Sequence, residues 1–159
     1  MTAADDISVR ATGTGPAELL AYAGLLSEVF GPGEKFSEAA LAWRYRDNPA
    51  GQVVGADAWA GNVLAAHYVT CPCDLDLAGA PARGLLSLNT ATHPDFQGRG
   101  LFVKLAEAAY ARGADDGFDC VIGVANANST PGFIRRLGFQ LVSPLDAGVL
   151  LRAPRRRPP

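Results

Sequence analysis

The pattern of apolar and polar positions in residues 85–110 predicts a strand, a tight loop and a helix. Residues 85–92 are mostly apolar or β-branched and contain neither Gly nor Pro, which is typical of a buried strand. Pro94 ends that strand, because proline has no N–H to donate to a sheet. Apolar residues then recur at helical spacing at Leu101, Leu105 and Ala108.

The residues between these two elements, Gln97-Gly98-Arg99-Gly100, form what we call the glycine loop. Such a loop before a helix leaves backbone N–H groups pointing outward, where the helix dipole adds positive potential. An anion such as a phosphate can bind there. A simple close turn is the alternative reading. The loop matches neither the dinucleotide-binding pattern G-x-G-x-x-G nor the P-loop pattern.

The remaining pattern predicts a mixed order of elements, β-α-α-β-β-β-α-β-α-β. A helix that joins the strand at 85–92 to the next strand makes a right-handed crossover, so those two strands are expected to be parallel in a largely antiparallel sheet. The other predicted elements are a strand at Ile7–Thr12, helices that begin near Pro16 and Ser37, a hairpin of Gln52–Trp59 and Val63–Leu77, a strand at Asp119–Ala125, a helix at Phe133–Leu137, and final strands at Phe139–Val142 and Val149–Arg152.

Composition narrows the class of protein. The 159 residues carry a formal net charge of −2, which argues against nucleic acid as a partner. No apolar run is long enough for a membrane helix, and no secretion signal is recognisable. The three cysteines indicate neither a disulfide framework nor a metal site, so we expect a cytoplasmic protein. One domain over residues 1–151 is expected, followed by a disordered Arg/Pro tail at 152–159.

Two segments together resemble the GNAT N-acetyltransferase superfamily, including a bacterial branch that acylates small amines. The first is Thr92–Leu101, which is similar to the family's acyl-CoA motif Q/R-x-x-G-x-G/A at Gln97 and Gly100, although Phe102 replaces its last small residue. The second is Asn126–Phe139, which is similar to the family's late N-x-x-S/A, helix and G-F segment. The resemblance implies an α+β GNAT fold, in which a mostly antiparallel sheet with one splayed parallel strand pair is flanked by helices.

The resemblance also implies acetyl-CoA, or another acyl-CoA, as the cosubstrate, with no metal. Backbone groups at Ala91 and Thr92 would bond the pantetheine arm, and Asn128 would reach the cofactor from the far side of the cleft. Backbone N–H groups would surround the diphosphate, and Arg99 would add positive charge there. The residues implied for that diphosphate site are Gln97, Gly98, Arg99, Gly100, Leu101 and Phe102.

Two catalytic groups that many members of the family use are missing from this sequence. Ile134 stands where a general-acid tyrosine is common. A regular strand would also place Leu86 and Leu88 on the face shared by Thr90 and Thr92, and that face would then carry no carboxylate unless a bulge changes the register.

The replacements proposed for these groups are His93 and Tyr68. His93 has a side chain suited to proton transfer, and Tyr68 or its neighbour His67 could reach an amine through water. Purely structural roles for all three side chains stay open, as does proton transfer by water alone.

The leading hypothesis is therefore an N-acyltransferase that moves an acetyl or other short acyl group to a primary amine of a small molecule, such as an amino sugar or antibiotic. A homodimer is possible on this reading. The alternative is a non-catalytic CoA-binding module that regulates a partner, and the missing tyrosine and carboxylate favour it.

Overall fold

The structure is a computed structural model that describes residues 6–127 and 129–144. Its strands form one sheet, and its helices cover the two faces of that sheet. Short 3₁₀ turns lie at Glu34–Phe36 and Pro94–Phe96. In chain order the elements are β1 (Ile7–Ala11), α1 (Pro16–Phe30), α2 (Glu38–Tyr45), β2 (Val54–Ala60), β3 (Val63–Leu77), β4 (Ala80–Thr92), α3 (Leu101–Asp115), β5 (Cys120–Gly123) and α4 (Thr130–Leu137).

Local chemistry sets several of these boundaries. Pro16 lies in the first turn of α1, where a missing N–H costs nothing. The Ser37 hydroxyl caps α2 by accepting a hydrogen bond from the Ala40 N–H at 3.2 Å. Gly138 ends α4 in the left-handed conformation with φ +70°. The sequence predicts each of these three signals.

The sheet has the order β1-β2-β3-β4-β5, and all neighbours are antiparallel except β4 and β5. The parallel pairing runs only from Gly84 opposite Cys120 to Ser87 opposite Gly123. This confirms the predicted fold class, a mostly antiparallel α+β sheet with one parallel pair. The crossover helix α3 connects those two strands, as the sequence predicts.

Each face of the sheet buries its own apolar cluster. On one face α1 and α2 pack against the sheet through residues such as Leu26 and Leu41. On the other face α3 and α4 contribute Leu105, Ala109 and Phe133. Burial of this apolar surface is the main force that holds the helices to the sheet.

β4 contains a β-bulge, the exception that the sequence left open, and the bulge changes which side chains share a face. His67 on β3 lies opposite Ala91, but Val69 lies opposite Leu88, so two residues of β4 face one residue of β3. Asn89 absorbs the extra residue with φ +48°, a conformation that asparagine tolerates better than most residues. As a result Leu88 and Ala91 both pack on the α1–α2 face, whereas a regular strand would separate them.

The predicted strand at Phe139–Val142 is wrong. Residues 139–142 form no strand, because they follow Gly138 without pairing to β5. The helix at 133–137 is longer than predicted and begins at Thr130. The predicted strand at 149–152, the tail at 152–159 and Asn128 lie outside the described residues.

Candidate functional site

A cavity opens where the parallel pair separates. β4 continues for five residues past Ser87, its last partner position, while β5 ends at Gly123. The strands therefore diverge and leave space between them. This β4–β5 cavity has a volume of about 170 Å³ and is lined by Phe30, Ser87, Leu88, Asn89, Thr90, Gly123, Val124, Ala125, Asn126, Ser129 and Phe133.

A larger cavity of about 830 Å³ lies over the glycine loop. It shares Phe30, Thr90, Asn126 and Ser129 with the β4–β5 cavity, so the two form one cleft. Its remaining lining is Val29, Ala91, Thr92, Phe96, Gln97, Gly98, Gly100, Leu101, Phe102 and Arg136. Five of the predicted diphosphate residues and both predicted pantetheine residues thus line this loop cavity.

The backbone of the glycine loop is shaped for an anion. Gly98 and Gly100 have φ +75° and +72°, and a Cβ built on either would meet no atom within 4 Å. Among the described residues, no carbonyl accepts the backbone N–H of Gly98, Gly100, Leu101 or Phe102. These N–H groups precede or begin the 15-residue helix α3, so its dipole adds positive potential at the same place. The loop fits the diphosphate of an acyl-CoA.

The sheet register shows which backbone groups of β4 face the cleft. The His93 N–H donates to the Ala65 carbonyl on β3 at 2.9 Å. Because backbone groups alternate sides along a strand, Ala91 also points to β3, whereas Thr92 points away from it. The Gln97 side chain donates to the Thr92 carbonyl at 3.4 Å on that open side. Of the two residues predicted to contact pantetheine through their backbone, only Thr92 therefore turns its backbone to the cleft; Ala91 does not.

Side chains around the loop leave its backbone accessible. The Phe102 ring packs edge-to-face against Tyr68 and Phe133, with centroids 6.0 and 5.2 Å apart. It turns into the core, as the helical lean of side chains predicts. The Arg99 guanidinium lies 5.1 Å from the centre of the Phe96 ring, and Arg136 adds a second cation beside the cleft.

Tyr68, a predicted catalytic residue, is completely buried and does not line the cleft. Its hydroxyl donates to the Ser87 hydroxyl at 2.8 Å and lies 2.6 Å from the Tyr110 hydroxyl. Ser87 does line the β4–β5 cavity. Tyr68 is therefore connected to the cavity by its hydrogen bond to Ser87 and does not contact the cavity itself.

His93, the other predicted catalytic residue, directly follows β4 and lines neither cavity. Its Nδ1 accepts a hydrogen bond from the Asp95 N–H at 3.2 Å, and its Nε2 lies 3.4 Å from a Glu28 carboxylate oxygen. Both ring nitrogens are thus engaged by neighbours. These contacts match the structural reading that the sequence left open.

The most buried polar cluster in the described part of the chain was not foreseen from the sequence. Asp57 is 1% exposed and His67 is 0% exposed, and their Oδ1 and Nδ1 atoms lie 2.6 Å apart. Tyr22 donates to Asp57 Oδ2 at 2.6 Å, and Thr12 donates to Asp57 Oδ1 at 3.1 Å. On the far side His67 Nε2 lies 2.9 Å from the Tyr45 hydroxyl. The sequence shows one sign of this cluster, the carboxylate of Asp57 between two alanines of β2.

We expect the protein to lose stability at alkaline pH, because burial opposes the ionisation of its four tyrosines. Burial raises the pKa of Tyr22, Tyr45, Tyr68 and Tyr110, and the Asp57 charge raises that of Tyr22 further. The folded pKa lies above the unfolded value, so the stabilisation is present below pH ~10 and is lost above it. The side chains of Tyr22 and Tyr45 are fully buried, so each should lower the free energy of unfolding by ~1.4 kcal/mol for every pH unit above that value.

Absorbance of tyrosinate during a pH titration checks this expectation. Tyrosinate should form in one cooperative step together with unfolding, whereas the chain in guanidinium should titrate near pH ~10. Gradual ionisation near that pH in the folded protein would contradict the burial of these hydroxyls.

Few groups in the described cleft can transfer a proton. Among the described lining residues of both cavities, Arg136 alone is ionisable. Ile134 is 39% exposed and lies outside both of them.

Residues 6–127 and 129–144 contain no group of three or more His, Cys, Asp or Glu side chains that could hold a metal ion. No helix in those residues is long and apolar enough to cross a membrane.

The sequence of this chain matches the model of a known protein family. A model of the acetyltransferase (GNAT) domain family matches residues 12–142. The chain therefore belongs to the GNAT acetyltransferase family. No curated protein matches it in sequence.

Solved structures share the fold over nearly their whole length. A predicted acetyltransferase with acetyl-CoA from Clostridium acetobutylicum has a TM-score of 0.70 at 14% identity, with 92% of this chain and 96% of that chain covered. Glucosamine-6-phosphate N-acetyltransferase from Arabidopsis thaliana gives 0.69 at 13%, covering 91% and 98%. An aminoglycoside acetyltransferase from an uncultured soil sample, in complex with sisomicin, gives 0.63 at 12%, covering 95% and 98%. At these identities the likeness concerns the fold.

Proposed function

We propose that this protein transfers an acetyl group from acetyl-CoA to a primary amine of a small molecule. The observation that carries the proposal is the set of open backbone N–H groups at Gly98, Gly100, Leu101 and Phe102, which lie at the end of a cleft between diverging parallel strands. In the overall reaction the amine nitrogen forms a bond to the acetyl carbon and the carbon–sulfur bond breaks. The thiolate leaves with the electron pair, and the proton lost by nitrogen balances it as free CoA thiol.

The chain's own contribution is binding and orientation. The N–H groups of Gly98, Gly100, Leu101 and Phe102 hold the diphosphate, with Arg99 and Arg136 adding charge nearby. The Thr92 backbone holds the pantetheine arm on the open side of β4, and we keep Asn128 as a further contact. Acyl-CoA supplies an activated acyl group, so the protein needs to place the amine beside it.

The acceptor class rests on the family and its structural neighbours. Neighbours act on amines: one is named for glucosamine 6-phosphate, and another is bound to sisomicin. The β4–β5 cavity of about 170 Å³ suits a small group such as an amine and the carbon that bears it. An amino sugar or an aminoglycoside is therefore the first acceptor to test.

Release of CoA thiol tests the proposed reaction. Acetyl-CoA should be turned over with at least one of glucosamine, glucosamine 6-phosphate and sisomicin, and mass spectrometry should detect the acetylated amine. The control is acetyl-CoA without amine, which should release thiol much more slowly. Absence of acetylated product with every amine of a wider panel would contradict the proposal.

A second candidate function is a non-catalytic module that binds CoA or acyl-CoA. The observation that favours it is the cleft lining, in which Arg136 alone is ionisable among the described residues. A thermal shift with CoA separates the two candidates from a protein with no cofactor, because a ligand that binds only the folded state raises its stability. A shift together with no acetylated product would favour the module.

A further inference from the structure

Asn89 stands at the point where the buried polar cluster meets the cleft. It lines the β4–β5 cavity and is the residue that the β4 bulge holds at φ +48°. Its side-chain N–H donates to the Tyr45 hydroxyl at 3.0 Å. Its amide oxygen accepts no hydrogen bond from any described residue and is not sealed from solvent. That oxygen is therefore an open acceptor in the cavity.

The hydrogen bond to Tyr45, a member of the buried cluster, sets which end of the Asn89 amide faces the cavity. Asp57 accepts hydrogen bonds from Tyr22 and Thr12, and His67 donates its Nδ1–H to the same carboxylate. The Nε2 atom of His67 lies 2.9 Å from the Tyr45 hydroxyl on the other side of the ring.

The Tyr45 oxygen accepts from the NH₂ end of the Asn89 amide, so the amide oxygen is the end left for the cavity. Asp57, His67, Tyr45 and Asn89 therefore form one chain of hydrogen bonds that ends at the cavity. Each member that holds Asn89 is buried: Tyr45, His67 and Asp57 are 0%, 0% and 1% exposed.

We infer that Asn89 is the residue that positions the acceptor amine, with its amide oxygen accepting a hydrogen bond from an N–H of that amine. The inference rests on the proposed function and adds the group that orients the nucleophile. With one N–H held by Asn89, the nitrogen lone pair is left to point at the acyl carbon. Tyr45 is a positioning residue that acts through Asn89.

Replacement of Asn89 by glycine removes the amide while keeping the bulge, because glycine adopts positive φ without strain. For Asn89→Gly, kcat/KM for the amine should fall about 10- to 100-fold, as expected for a hydrogen bond that includes a charged or partly charged group. The KM for acetyl-CoA should stay within about 2-fold of wild type, since the diphosphate and pantetheine contacts do not use this oxygen. A purely structural role would change both parameters together.

A double-mutant cycle tests whether Tyr45 acts through Asn89. Tyr45→Phe removes the hydroxyl that fixes the amide and should lower kcat/KM for the amine by at least about 5-fold. In the Asn89→Gly background the same change should have no further effect, because its target is gone. Thr70→Val is the matched control: it deletes a buried β3 hydroxyl that donates to the Val54 carbonyl at 2.7 Å, outside the chain of four. It should leave amine kinetics within about 2-fold of wild type.

The acceptor for these assays is whichever of glucosamine, glucosamine 6-phosphate and sisomicin the wild type acetylates fastest. Wild-type kinetics in Asn89→Gly, or fully additive effects of the two changes, would overturn the inference while leaving the proposed function intact. A wild type that acetylates no amine would overturn the proposed function, and the inference with it.

Discussion

Gly100→Trp should weaken the affinity for CoA at least about 100-fold, the largest change expected from any single substitution. Gly100 lies in the glycine loop with φ +72°, and the space above its Cα is open for 4 Å. An indole there would project into the loop cavity, where we place the diphosphate. Loss of two hydrogen bonds to a charged group, each worth ~1.5–3 kcal/mol, accounts for this factor. Isothermal titration with CoA measures it.

Gly61→Trp is the control for Gly100→Trp. Gly61 has φ +59° in the turn between β2 and β3, and its Cβ position is also free of atoms within 4 Å. Both substitutions therefore impose a similar backbone strain, but Gly61 does not line the cleft. Gly61→Trp should lower the unfolding temperature about as much as Gly100→Trp and leave CoA affinity unchanged. Equal losses of affinity would show that the glycine loop is not the binding site.

Asp57→Ala should lower the free energy of unfolding by ~3–5 kcal/mol, because a buried donor that loses its partner costs ~1–3 kcal/mol and Asp57 accepts from three donors. Asp57 accepts hydrogen bonds from Tyr22, Thr12 and His67, so its loss leaves three donors without their acceptor. The cluster joins α1, β2, β3 and the residue that follows β1, so the effect should spread over the sheet. Urea unfolding followed by circular dichroism measures the difference.

Asp47→Ala, which removes an exposed carboxylate, is the control for Asp57→Ala. Asp47 forms an exposed ion pair with Arg46, with nitrogen and oxygen 2.9 Å apart. Asp47→Ala should not change the urea midpoint measurably, because exposed pairs contribute little. Similar midpoints for the two variants would contradict the account of Asp57 as the acceptor at the centre of the buried cluster.

Local signals predicted the order of the elements as far as α4 and several of their boundaries, although β4 begins at Ala80 and not at Leu85. The β3 strand begins and ends where its strand pattern does, at Val63 and Leu77. Ser37 and Gly138 mark helix ends through hydrogen bonding and backbone conformation of the residues beside them. Features of this kind need only neighbouring residues, which is why the sequence carries them.

The errors concern contacts between distant residues. The bulge at Asn89 depends on how β4 pairs with β3, and strict alternation of side chains misses it. Strand formation at 139–142 requires a partner strand that the apolar pattern alone does not supply. The link between Asp57 and Tyr22 joins residues 35 apart in the chain, and a lone carboxylate among alanines gives little hint of it.

The candidate site divides in the same way. The glycine loop is a contiguous motif, and the sequence predicts it together with its helix. Which of Ala91 and Thr92 turns its backbone to the cleft depends on sheet register. The surroundings of His93 and Tyr68 depend on Glu28, Ser87 and Tyr110 in other elements, so residue type alone could not place them in the cleft.

A crystal structure of the protein with CoA tests the central claim most directly. The account predicts density for the diphosphate over residues 98–102 and for the pantetheine arm along Thr92, with the thiol in the β4–β5 cavity beside Asn89. Density for CoA at another surface, or an empty cleft in crystals saturated with CoA, would contradict it.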